Sequence, residues 1–319
     1  MNEEVIIKRY FQRLSKNNPN SLNLNDDVFF DKKKKLVISI DNYIEGVHFL
    51  NFKRPDLVIR KILRSSISDI FAKGVSPNYF FISGSGNKKS FSKKNIKLIS
   101  TSLSREQKKY NIKLSGGDTT YSSKLSFCIT TIGYSEEIVY RNKTKIGDDI
   151  YVTGNIGDSY IGLLTLMNKI KINPKYKKYF IDKYYSPKLQ DKMSSFLLKF
   201  ANSSIDISDG LIVDLNRLIN TQKYGYIIDL DKVPISNNLK YLIKIKKIKK
   251  INCLSNGDDY QILFTASKSK RSYISRLFKK MNQKTSIIGQ INSKSKLYLL
   301  NNKQYPIKNL KYQGYLHNF

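Results

Sequence analysis

The sequence of 319 residues has few of the residue types on which many catalytic and metal sites depend. It contains no tryptophan, two cysteines and two histidines. Cys128 and Cys253 cannot form a disulfide framework or a cysteine-based metal cage. His48 and His317 are too few for a histidine-based metal site. These absences exclude the zinc-type sites that cysteine and histidine build.

Long apolar segments are missing as well. No stretch approaches the roughly 18 consecutive apolar residues that a membrane-spanning helix requires. The first residues, MNEEVIIKRYF, lack the basic head, apolar middle and small-residue cleavage site of a secretory signal. We therefore expect a cytoplasmic protein with no membrane partner. The length suits one large domain or two of ordinary size.

The common nucleotide-binding and nucleophilic motifs are also absent. The sequence has no GxxxxGK[ST] loop, no protein-kinase glycine-rich loop and no GxGxxG. No Ser/His/Asp or Cys/His arrangement suggests a nucleophilic enzyme. If the chain handles a phosphorylated ligand, it must do so with other residues.

Positive charge is abundant, with 57 lysines and arginines against 25 acids and a formal net charge of +32. Such a charge can attract nucleic acid. The lysines are spread along the whole chain, although the segments 32–35 and 242–251 are dense. We interpret both as solvated surface, the first as a hairpin loop and the second as a helix with lysines on its wet face. We expect no nucleic-acid partner; a basic nucleic-acid-binding protein without catalysis is the alternative.

The acidic residues stand out against this background. Only six are glutamates, and many of the aspartates lie in short turns beside glycine, serine or another aspartate. A single aspartate in a turn is ordinary, because aspartate favours caps and turns. Here one context recurs among the aspartates, an apolar β-rich run and then aspartate beside glycine, serine or another aspartate. Six of them are predicted at loop or element-end positions: Asp26, Asp41, Asp69, Asp118, Asp206 and Asp209. Several hard oxygen ligands of this kind suit Mg²⁺ that bridges carboxylates to phosphates.

The hydrophobic pattern predicts alternating strands and helices in two domains, residues 1–140 and 141–319. It predicts a strand that ends at Asp41 and a helix over residues 55–71. It also predicts a strand over 112–115 that stops at the Gly-Gly-Asp-Thr-Thr segment, and a helix over 188–202. The fold class expected is α+β in the first domain and α/β in the second.

Eight short motifs occur in an order and spacing that resemble the thiamine-monophosphate kinase family over nearly the whole chain. Each is weak alone, but EGVHF, GGDTT and DISDGL together are discriminating. The matching segments are 25–27, 39–41 with 45–49, 68–74, 116–120, 147–154, 206–211, 257–260 and 314–315.

This resemblance implies an aminoimidazole-ribonucleotide-synthetase-like fold. The N-terminal α+β domain would form a β-barrel with that of a partner, giving a homodimer, and the C-terminal α/β domain would close over the nucleotide. The reaction implied is ATP-dependent phosphorylation of thiamine monophosphate to thiamine diphosphate, with several Mg²⁺ ions; K⁺ is left open as a further ion. Another ATP-dependent enzyme of the same superfamily is the alternative within enzymes. One sister family needs a reactive cysteine near the N-terminus and another needs a C-terminal cysteine. The two cysteines of this sequence lie at neither position, so we expect neither of these activities.

The resemblance also implies which residues form the site, wherever a motif of this sequence matches one of the family's motifs. Residues implied as magnesium ligands are Asp26, Ser39, Asp41, Asp69, Asp118, Asp206 and Asp209. Of these, the aspartates at 26, 41, 69, 118 and 209 would act in catalysis through the metal, with no general base. The nucleotide would meet Gly117, Asp118, Arg141 and Ser208, and the thiamine phosphate would meet His48, Asp258 and Tyr315.

The chain departs from the family's usual pattern at three of these motifs. Ile40 stands where threonine is usual, so a hydroxyl ligand is lost. Asp258 replaces glutamate and shortens the reach of its carboxylate by one methylene. Tyr315 stands where tryptophan is common, which preserves stacking on a smaller ring. These changes bear on substrate affinity more than on the class of reaction.

Overall fold

A computed structural model describes residues 1–246, 248–312 and 314–317. The N-terminal segment begins with α1 (Glu3–Ile6), a π turn (Ile7–Phe11) and two 3-10 segments (Gln12–Ser15 and Pro19–Leu24). Five strands and two long helices follow: β1 (Phe29–Asp31), β2 (Leu36–Ile44), α2 (Pro55–Ala72), β3 (Pro77–Gly86), α3 (Lys93–Tyr110), β4 (Lys113–Tyr121) and β5 (Ser126–Tyr134).

The five strands form one sheet in the order β1-β2-β5-β3-β4. All neighbours are antiparallel except β3 and β4, which are parallel. Alternate residues of β2 point inward, as a half-buried strand requires. Val37 and Tyr43 pack against α2, whereas Ile40 is 68% exposed on the opposite face. We call that opposite face the open face; no helix among the described residues is seen to pack on it.

The second half is built on a seven-stranded sheet. Its elements are β6 (Asp149–Thr153), α4 (Asp158–Leu166), α5 (Pro174–Tyr185), α6 (Asp191–Ser194), β7 (Ser203–Asp206), α7 (Leu211–Leu218), β8 (Gly225–Asp229), α8 (Asn237–Lys246), α9 (Lys250–Leu254), β9 (Ile262–Ala266), α10 (Arg271–Lys280), β10 (Thr285–Asn292), β11 (Lys296–Leu300) and β12 (Lys303–Pro306), with 3-10 turns at Leu197–Lys199, Lys268–Lys270 and Ile307–Asn309. The strand order is β12-β11-β8-β10-β6-β9-β7, and only β8 and β11 pair in parallel.

Helix α2 is the central element for the site. It begins at Pro55, which suits a first helical turn, and ends at Ala72 just before Gly74, whose φ is +80°. Most of its residues are buried, because it packs on β2 and β5 on one side and approaches β7 of the second sheet on the other. The prediction of a helix at 55–71 is confirmed.

Three segments differ from the prediction. The strand expected to end at Asp41 continues to Ile44, because its ladder with β5 extends that far. The strand expected to stop before the Gly-Gly-Asp-Thr-Thr segment runs through it, and β4 ends at Tyr121. Gly117 has φ +157°, and a Cβ there would lie 1.8 Å from the Ile82 carbonyl oxygen of β3. These glycines therefore let an edge strand lie close to its neighbour. The helix expected over 188–202 is only the short α6 and a 3-10 turn.

The lysine-rich loops behave mostly as expected. Residues 32–35 form the turn between β1 and β2. The segment 242–251 is shared between α8 and α9 rather than one helix, and Lys247 lies outside the described residues. In the part of the chain that is described, no helix is long and apolar enough to cross a membrane.

The fold class is thus an α+β half followed by a second mixed sheet with helices. Within one chain the first sheet is an open sheet with edges at β1 and β4. The barrel that a partner would complete remains a prediction, and so does the boundary between residues 140 and 141.

Candidate functional site

The site lies where α2 passes between β2 and the end of β7. The run Ser65-Ser66-Ile67-Ser68-Asp69 on α2 places small hydroxyl groups and one carboxylate among β2, β5 and β7. Ser39 of β2 donates a hydrogen bond to Oδ2 of Asp69, with an O···O distance of 2.7 Å. Ser66 contacts Thr131 of β5 at 3.1 Å. Small polar side chains thus leave room for carboxylates inside a packed interface.

Three carboxylates share this region: Asp206, which is buried, and Asp41 and Asp69, which are partly buried. Burial raises the pKa of Asp41 to about 6, against a hydrogen bond from Ser66 that lowers it. Burial also raises the pKa of Asp206 to about 6, and the charge of Asp41 adds to that shift. The pKa of Asp69 lies well above its usual range because of burial and the charges of the other two. A negative charge on one of these carboxylates therefore makes ionisation of its neighbours less favourable.

The three carboxylates have the chemistry that a hard divalent cation needs. Oδ2 of Asp41 and Oδ2 of Asp206 are buried and lack a hydrogen-bond partner. Unpaired buried carboxylate oxygens are costly, and a cation would satisfy them. Across the described ranges, however, no three His, Cys, Asp or Glu side chains converge as a finished metal site. We conclude that Asp41, Asp69 and Asp206 fit Mg²⁺ by donor type and by their unmet charge.

Asp26 lies at a different place, which we call the Asp26 corner, where its neighbours are the positively charged residues Lys73 and Arg141. Lys73 Nζ lies 2.5 Å from Asp26 Oδ1 and 2.8 Å from Asp27 Oδ2. The backbone N–H of Arg141 donates to Asp26 Oδ2 at 2.9 Å, and Arg141 Nε donates to Asp27 Oδ2 at 2.9 Å. The structure thus brings Asp26 and Arg141 together, but each is engaged by a protein group.

Asp209 is likewise paired. It follows β7 in the loop before α7, and the Arg217 guanidinium donates to its Oδ2. Arg217 also reaches Asp214 Oδ1 at 3.2 Å. Asp214 is buried, and its Oδ2 accepts the backbone N–H groups of Asp209 and Gly210, both at 3.0 Å. Burial raises the pKa of Asp214 to about 8, and the charge of Asp209 adds to the shift.

A second loop docks on this one. The backbone N–H of Asp258 donates to the Ser208 carbonyl at 2.7 Å, and that of Tyr260 donates to the Ile207 carbonyl at 2.8 Å. Gly257 permits the approach, because a Cβ there would lie 2.1 Å from the Ser208 oxygen. Asp258 itself adopts φ +60°, an uncommon conformation for a residue other than glycine. Ser208 and Asp258 are therefore held side by side.

The Asp258 carboxylate belongs to a small aromatic and charged cluster. It pairs with Lys61 Nζ and accepts a hydrogen bond from the Tyr260 hydroxyl at 3.0 Å. The Lys61 side chain is 3% exposed, and its Nζ lies 4.3 Å from the ring centre of Tyr184. This geometry is a cation–π contact. A polar cavity of about 260 Å³ opens beside the cluster and is lined by residues that include Asp158, Ser159, Gln190, Asp258, Asp259 and Gln283.

His48 and Tyr315 approach the same region from two ends of the chain. His48 Nδ1 accepts the backbone N–H of Ile44 at 3.0 Å, which fixes the ring in the turn after β2. Its ring centre is 5.4 Å from that of His317, which in turn is 4.9 Å from Tyr315. The backbone N–H of Tyr315 donates to the Asp209 carbonyl at 3.0 Å.

Protonation of His48 is disfavoured in this setting. Its pKa is lowered by burial first and then by His317 and Lys61, against the opposing charge of Asp258. The charges of Lys61 and Asp258 thus act on His48 in opposite directions. His48, Asp258 and Tyr315 are thus gathered in one region, and Asp209 links it to the buried carboxylates, because its charge also raises the pKa of Asp41.

Gly117 and Asp118 do not join this group within one chain. Asp118 is exposed on edge strand β4, where it pairs with Ser83 of β3. Ser83 pairs in turn with Cys128 of β5, and Cys128 pairs with Asn42 of β2. Three strand spacings separate Asp118 from β2, roughly 14 Å. This register places it with the open face, where a hollow of about 410 Å³ is lined by residues that include Ile40, Asn42, Ser83, Ser85 and Cys128.

Sequence reasoning missed several residues that complete the site. Asp27 and Lys73 lie inside the matched motifs but were assigned no role there. Asp214 and Arg217 are spaced three apart on α7, directly after the Asp-Ile-Ser-Asp-Gly-Leu motif, which was a usable signal for a charged pair. Lys61 carried no signal, because one lysine among many cannot be recognised as buried.

Comparisons with known proteins agree with this architecture. Residues 25–135 match the family model of the AIR synthase related protein N-terminal domain, and residues 145–300 match that of the C-terminal domain. The thiamine-monophosphate kinase of Buchnera aphidicola subsp. Schizaphis graminum (strain Sg) is 34% identical over 331 residues, which cover 99% of this chain and 98% of the relative. The thiamine-monophosphate kinase of Buchnera aphidicola subsp. Acyrthosiphon pisum (strain APS) is 34% identical over 299 residues, 91% of this chain and 90% of the relative.

The fold comparison gives the same answer. The solved structure of AaThiL complexed with AMPPCP and TMP has a TM-score of 0.85 with this chain. Its sequence is 25% identical, and the match covers 99% of this chain and 97% of the other. The likeness therefore spans both sheets and the loops between them, and the curated relatives match in sequence at nearly full length. The chain belongs to the thiamine-monophosphate kinase family.

Proposed function

We propose that this protein transfers the γ-phosphoryl group of ATP to thiamine monophosphate, giving thiamine diphosphate and ADP. The observation that carries the proposal is a set of carboxylates whose ionisation is disfavoured, Asp41, Asp69 and Asp206, close to a region of different chemistry. In that second region Asp258 pairs with Lys61, and the rings of His48 and Tyr315 both contact His317. Support comes from relatives that bear the name thiamine-monophosphate kinase and from a structural relative solved with AMPPCP and TMP.

The chain's own carboxylates would hold the metal. Asp41, Asp69 and Asp206 offer oxygens of the type Mg²⁺ prefers, and Ser39 keeps Asp69 oriented through its hydrogen bond. When bound, Mg²⁺ neutralises phosphate charge and aligns donor with acceptor for an in-line displacement. The carboxylates must be ionised for this task, and their raised pKa values mean that protons compete with the cation.

No general base is needed in this reaction. A phosphate monoester has a second pKa of about 6, so the attacking oxygen of the acceptor is largely ionised near neutral pH. The obstacle is the repulsion between two polyanions. In agreement with this, His48 is hydrogen-bonded at Nδ1 and its pKa is lowered, so that it offers a neutral ring rather than a charge. Its role would be contact with the substrate.

The pocket around Asp258 would position the thiamine end. Thiamine carries a cationic thiazolium ring, for which a carboxylate and aromatic faces are suitable partners. Asp258 supplies the carboxylate, Tyr315 an aromatic ring that is 41% exposed, and His48 a second ring. Lys61 holds the Asp258 carboxylate in place from the α2 side. The shorter aspartate at this position is thus compensated by a fixed orientation.

The nucleotide would bind between the two sheets. Arg141 and Ser208 lie at their junction, and the Arg141 guanidinium is preorganised by Asp27. We also propose that the active form is a homodimer joined through the open face and β4. The exposed Ile40 and the fully exposed β4 support it, because a long uncovered edge strand is a ready surface for pairing. Gly117 and Asp118 would then complete a nucleotide site together with the other chain.

The test is product formation by purified protein with ATP, MgCl₂ and thiamine monophosphate, followed by separation of the thiamine phosphates. We expect equimolar thiamine diphosphate and ADP. We expect Asp41→Asn to lose more than about 100-fold in turnover, because it removes one charge from the metal cradle. Wild-type protein that hydrolyses ATP without forming thiamine diphosphate would contradict the substrate, and protein that leaves ATP intact would contradict the reaction.

A further inference from the structure

The ammonium group of Lys73 lies inside the acidic region, in a position that a cation would otherwise take. The residue is 0% exposed, although lysine is almost never fully buried without partners. It directly follows α2, so that its backbone N–H still bonds to the carbonyl oxygens of Asp69 and Ile70. Its side chain projects towards the loop before β1 and towards β7.

All three N–H groups of this ammonium have acceptors. They are Asp26 Oδ1 at 2.5 Å, Asp27 Oδ2 at 2.8 Å and the Ser204 carbonyl oxygen at 3.1 Å. A lysine ammonium has three donors and no more. The ammonium of Lys73 is therefore surrounded by two carboxylate oxygens and one carbonyl oxygen, which are the kinds of ligand that a bound metal cation would have.

The two oxygens of Asp26 are therefore both engaged. Oδ1 accepts from Lys73 and from the backbone N–H of Asp27 at 2.9 Å, and Oδ2 accepts the Arg141 N–H at 2.9 Å. Asp206, by contrast, is 2% exposed and keeps an oxygen without a hydrogen-bond partner. A divalent ion that bound Asp26 would have to displace a buried ammonium or lie against it, and both cost free energy.

We propose that Lys73 is a built-in cation that replaces a metal ion at the Asp26 corner of the site. The divalent ions of this protein are then held by Asp41, Asp69 and Asp206, and Asp26 is a positioning residue that binds Lys73 and Arg141. The inference rests on the proposed function, because it assumes that the remaining carboxylates bind divalent cations. It goes beyond that function because it states that Asp26 is not a metal ligand.

The charges at this corner support the assignment. Asp26 and Asp27 carry two negative charges, and Lys73 and Arg141 carry two positive charges, so the group is neutral. Among the residues that the structure describes, no lysine or arginine bonds directly to Asp41, Asp69 or Asp206, although the charge of Lys73 lowers the pKa of both Asp69 and Asp206. A divalent cation is therefore attracted to Asp41, Asp69 and Asp206 and gains little at Asp26.

The experiment counts bound Mn²⁺ by electron paramagnetic resonance, with a non-hydrolysable ATP analogue present, in wild type and variants. Asp26→Asn should bind as many ions as wild type, with affinity within about threefold. Lys73→Met should bind one ion more, because Asp26 and Asp27 then lose their internal cation. The double variant Asp26→Asn/Lys73→Met should lose that additional ion. Lys35→Met, which removes a surface lysine paired with Glu136, is the matched control and should not change the count.

The outcomes separate this inference from the proposed function. If Asp26→Asn loses an ion or weakens Mn²⁺ binding more than about tenfold, Asp26 is a metal ligand and the inference is wrong. A folded Lys73→Met with the wild-type count would also contradict it, even if the enzyme makes thiamine diphosphate. Should Lys73→Met fail to fold, the Asp26→Asn count still decides. Wild type that binds no Mn²⁺ would contradict the metal cradle itself and, with it, the role of Lys73.

Discussion

The charge of Asp41, in β2, raises the pKa of Asp206, at the end of β7, across the boundary between the two sheets. One carboxylate comes from each half of the chain, and each has an oxygen that is buried without a hydrogen-bond partner. The two halves are therefore held in contact at a point of electrostatic repulsion. This arrangement makes the stability of the protein dependent on pH and on divalent cations.

The first prediction concerns that dependence. Because burial raises the pKa of Asp206 from an ordinary 3.8 to about 6 in the folded state, ionisation disfavours the folded state. The protonated group's contribution is fully present below pH 3.8 and is lost as the pH rises through about 6. The loss is about 3 kcal/mol at most. Without divalent cations, the unfolding free energy of wild type relative to Asp206→Asn should therefore fall between pH 4 and pH 7, as urea denaturation would measure.

Magnesium should reverse this loss. At pH 7.5, addition of millimolar MgCl₂ should raise the melting temperature of wild type by several degrees, whereas at pH 5 the rise should be smaller because protons occupy the same oxygens. Asp206→Asn should respond less at both pH values. Equal stabilisation of wild type and variant by MgCl₂ would place the metal elsewhere.

A second prediction concerns Asp118. Its side chain is exposed on β4, so Asp118→Asn should change the unfolding free energy by less than about 0.5 kcal/mol. If it completes the nucleotide site of a second chain, turnover should nevertheless fall at least about tenfold. The measurement is kcat for thiamine diphosphate formation beside urea denaturation. Near-normal turnover would remove Asp118 from the site.

Substrate recognition gives a third prediction. Asp258→Asn removes the charge that Lys61 and the Tyr260 hydroxyl hold in place. The KM for thiamine monophosphate should rise by about tenfold or more, since a hydrogen bond to a charged group contributes about 1.5–3 kcal/mol. The KM for ATP should stay within about threefold. Asp182→Asn, an exposed aspartate on α5, serves as the control. An equal rise in both KM values would mean that Asp258 does not discriminate between the two substrates.

The fourth prediction is about the loop that carries Asp209. Arg217→Met leaves Asp209 and the fully buried Asp214 without their cation. We expect a loss of roughly 3 kcal/mol in unfolding free energy, the scale for breaking a buried ion pair from one side. Arg276→Met, on the exposed side of α10, should lose little. Wild-type stability in Arg217→Met would show that the loop is held by its backbone contacts alone.

Much of the fold followed from local sequence. The helix at 55–71 was predictable because Pro55 begins it, an apolar stripe runs along it and Gly74 follows its end. The strand over 112–115 was expected to stop at the Gly-Gly-Asp-Thr-Thr segment, since glycine usually weakens or interrupts a strand. In the structure the missing Cβ of Gly117 instead serves the close approach of β3. Sequence alone cannot distinguish these two uses of glycine.

The site was predictable as a set of motifs but not as a set of contacts. The aspartates could be identified from their recurring context, and the structure brings Asp41, Asp69 and Asp206 into one buried region. Nothing in the sequence distinguishes Lys73 from the lysines that cover the surface. Its role depends on a side chain that crosses from the end of α2 to residues 26 and 27, a contact over more than forty positions of the sequence. Such pairings are set by tertiary structure.

The most direct test of the account is to follow the label of [γ-³²P]ATP in a reaction with thiamine monophosphate and MgCl₂. We expect radioactivity in thiamine diphosphate, mole for mole with the ADP formed, and more than about 100-fold slower transfer by Asp41→Asn. Radioactivity that appears only as inorganic phosphate, with thiamine monophosphate unchanged, would contradict phosphoryl transfer to this acceptor.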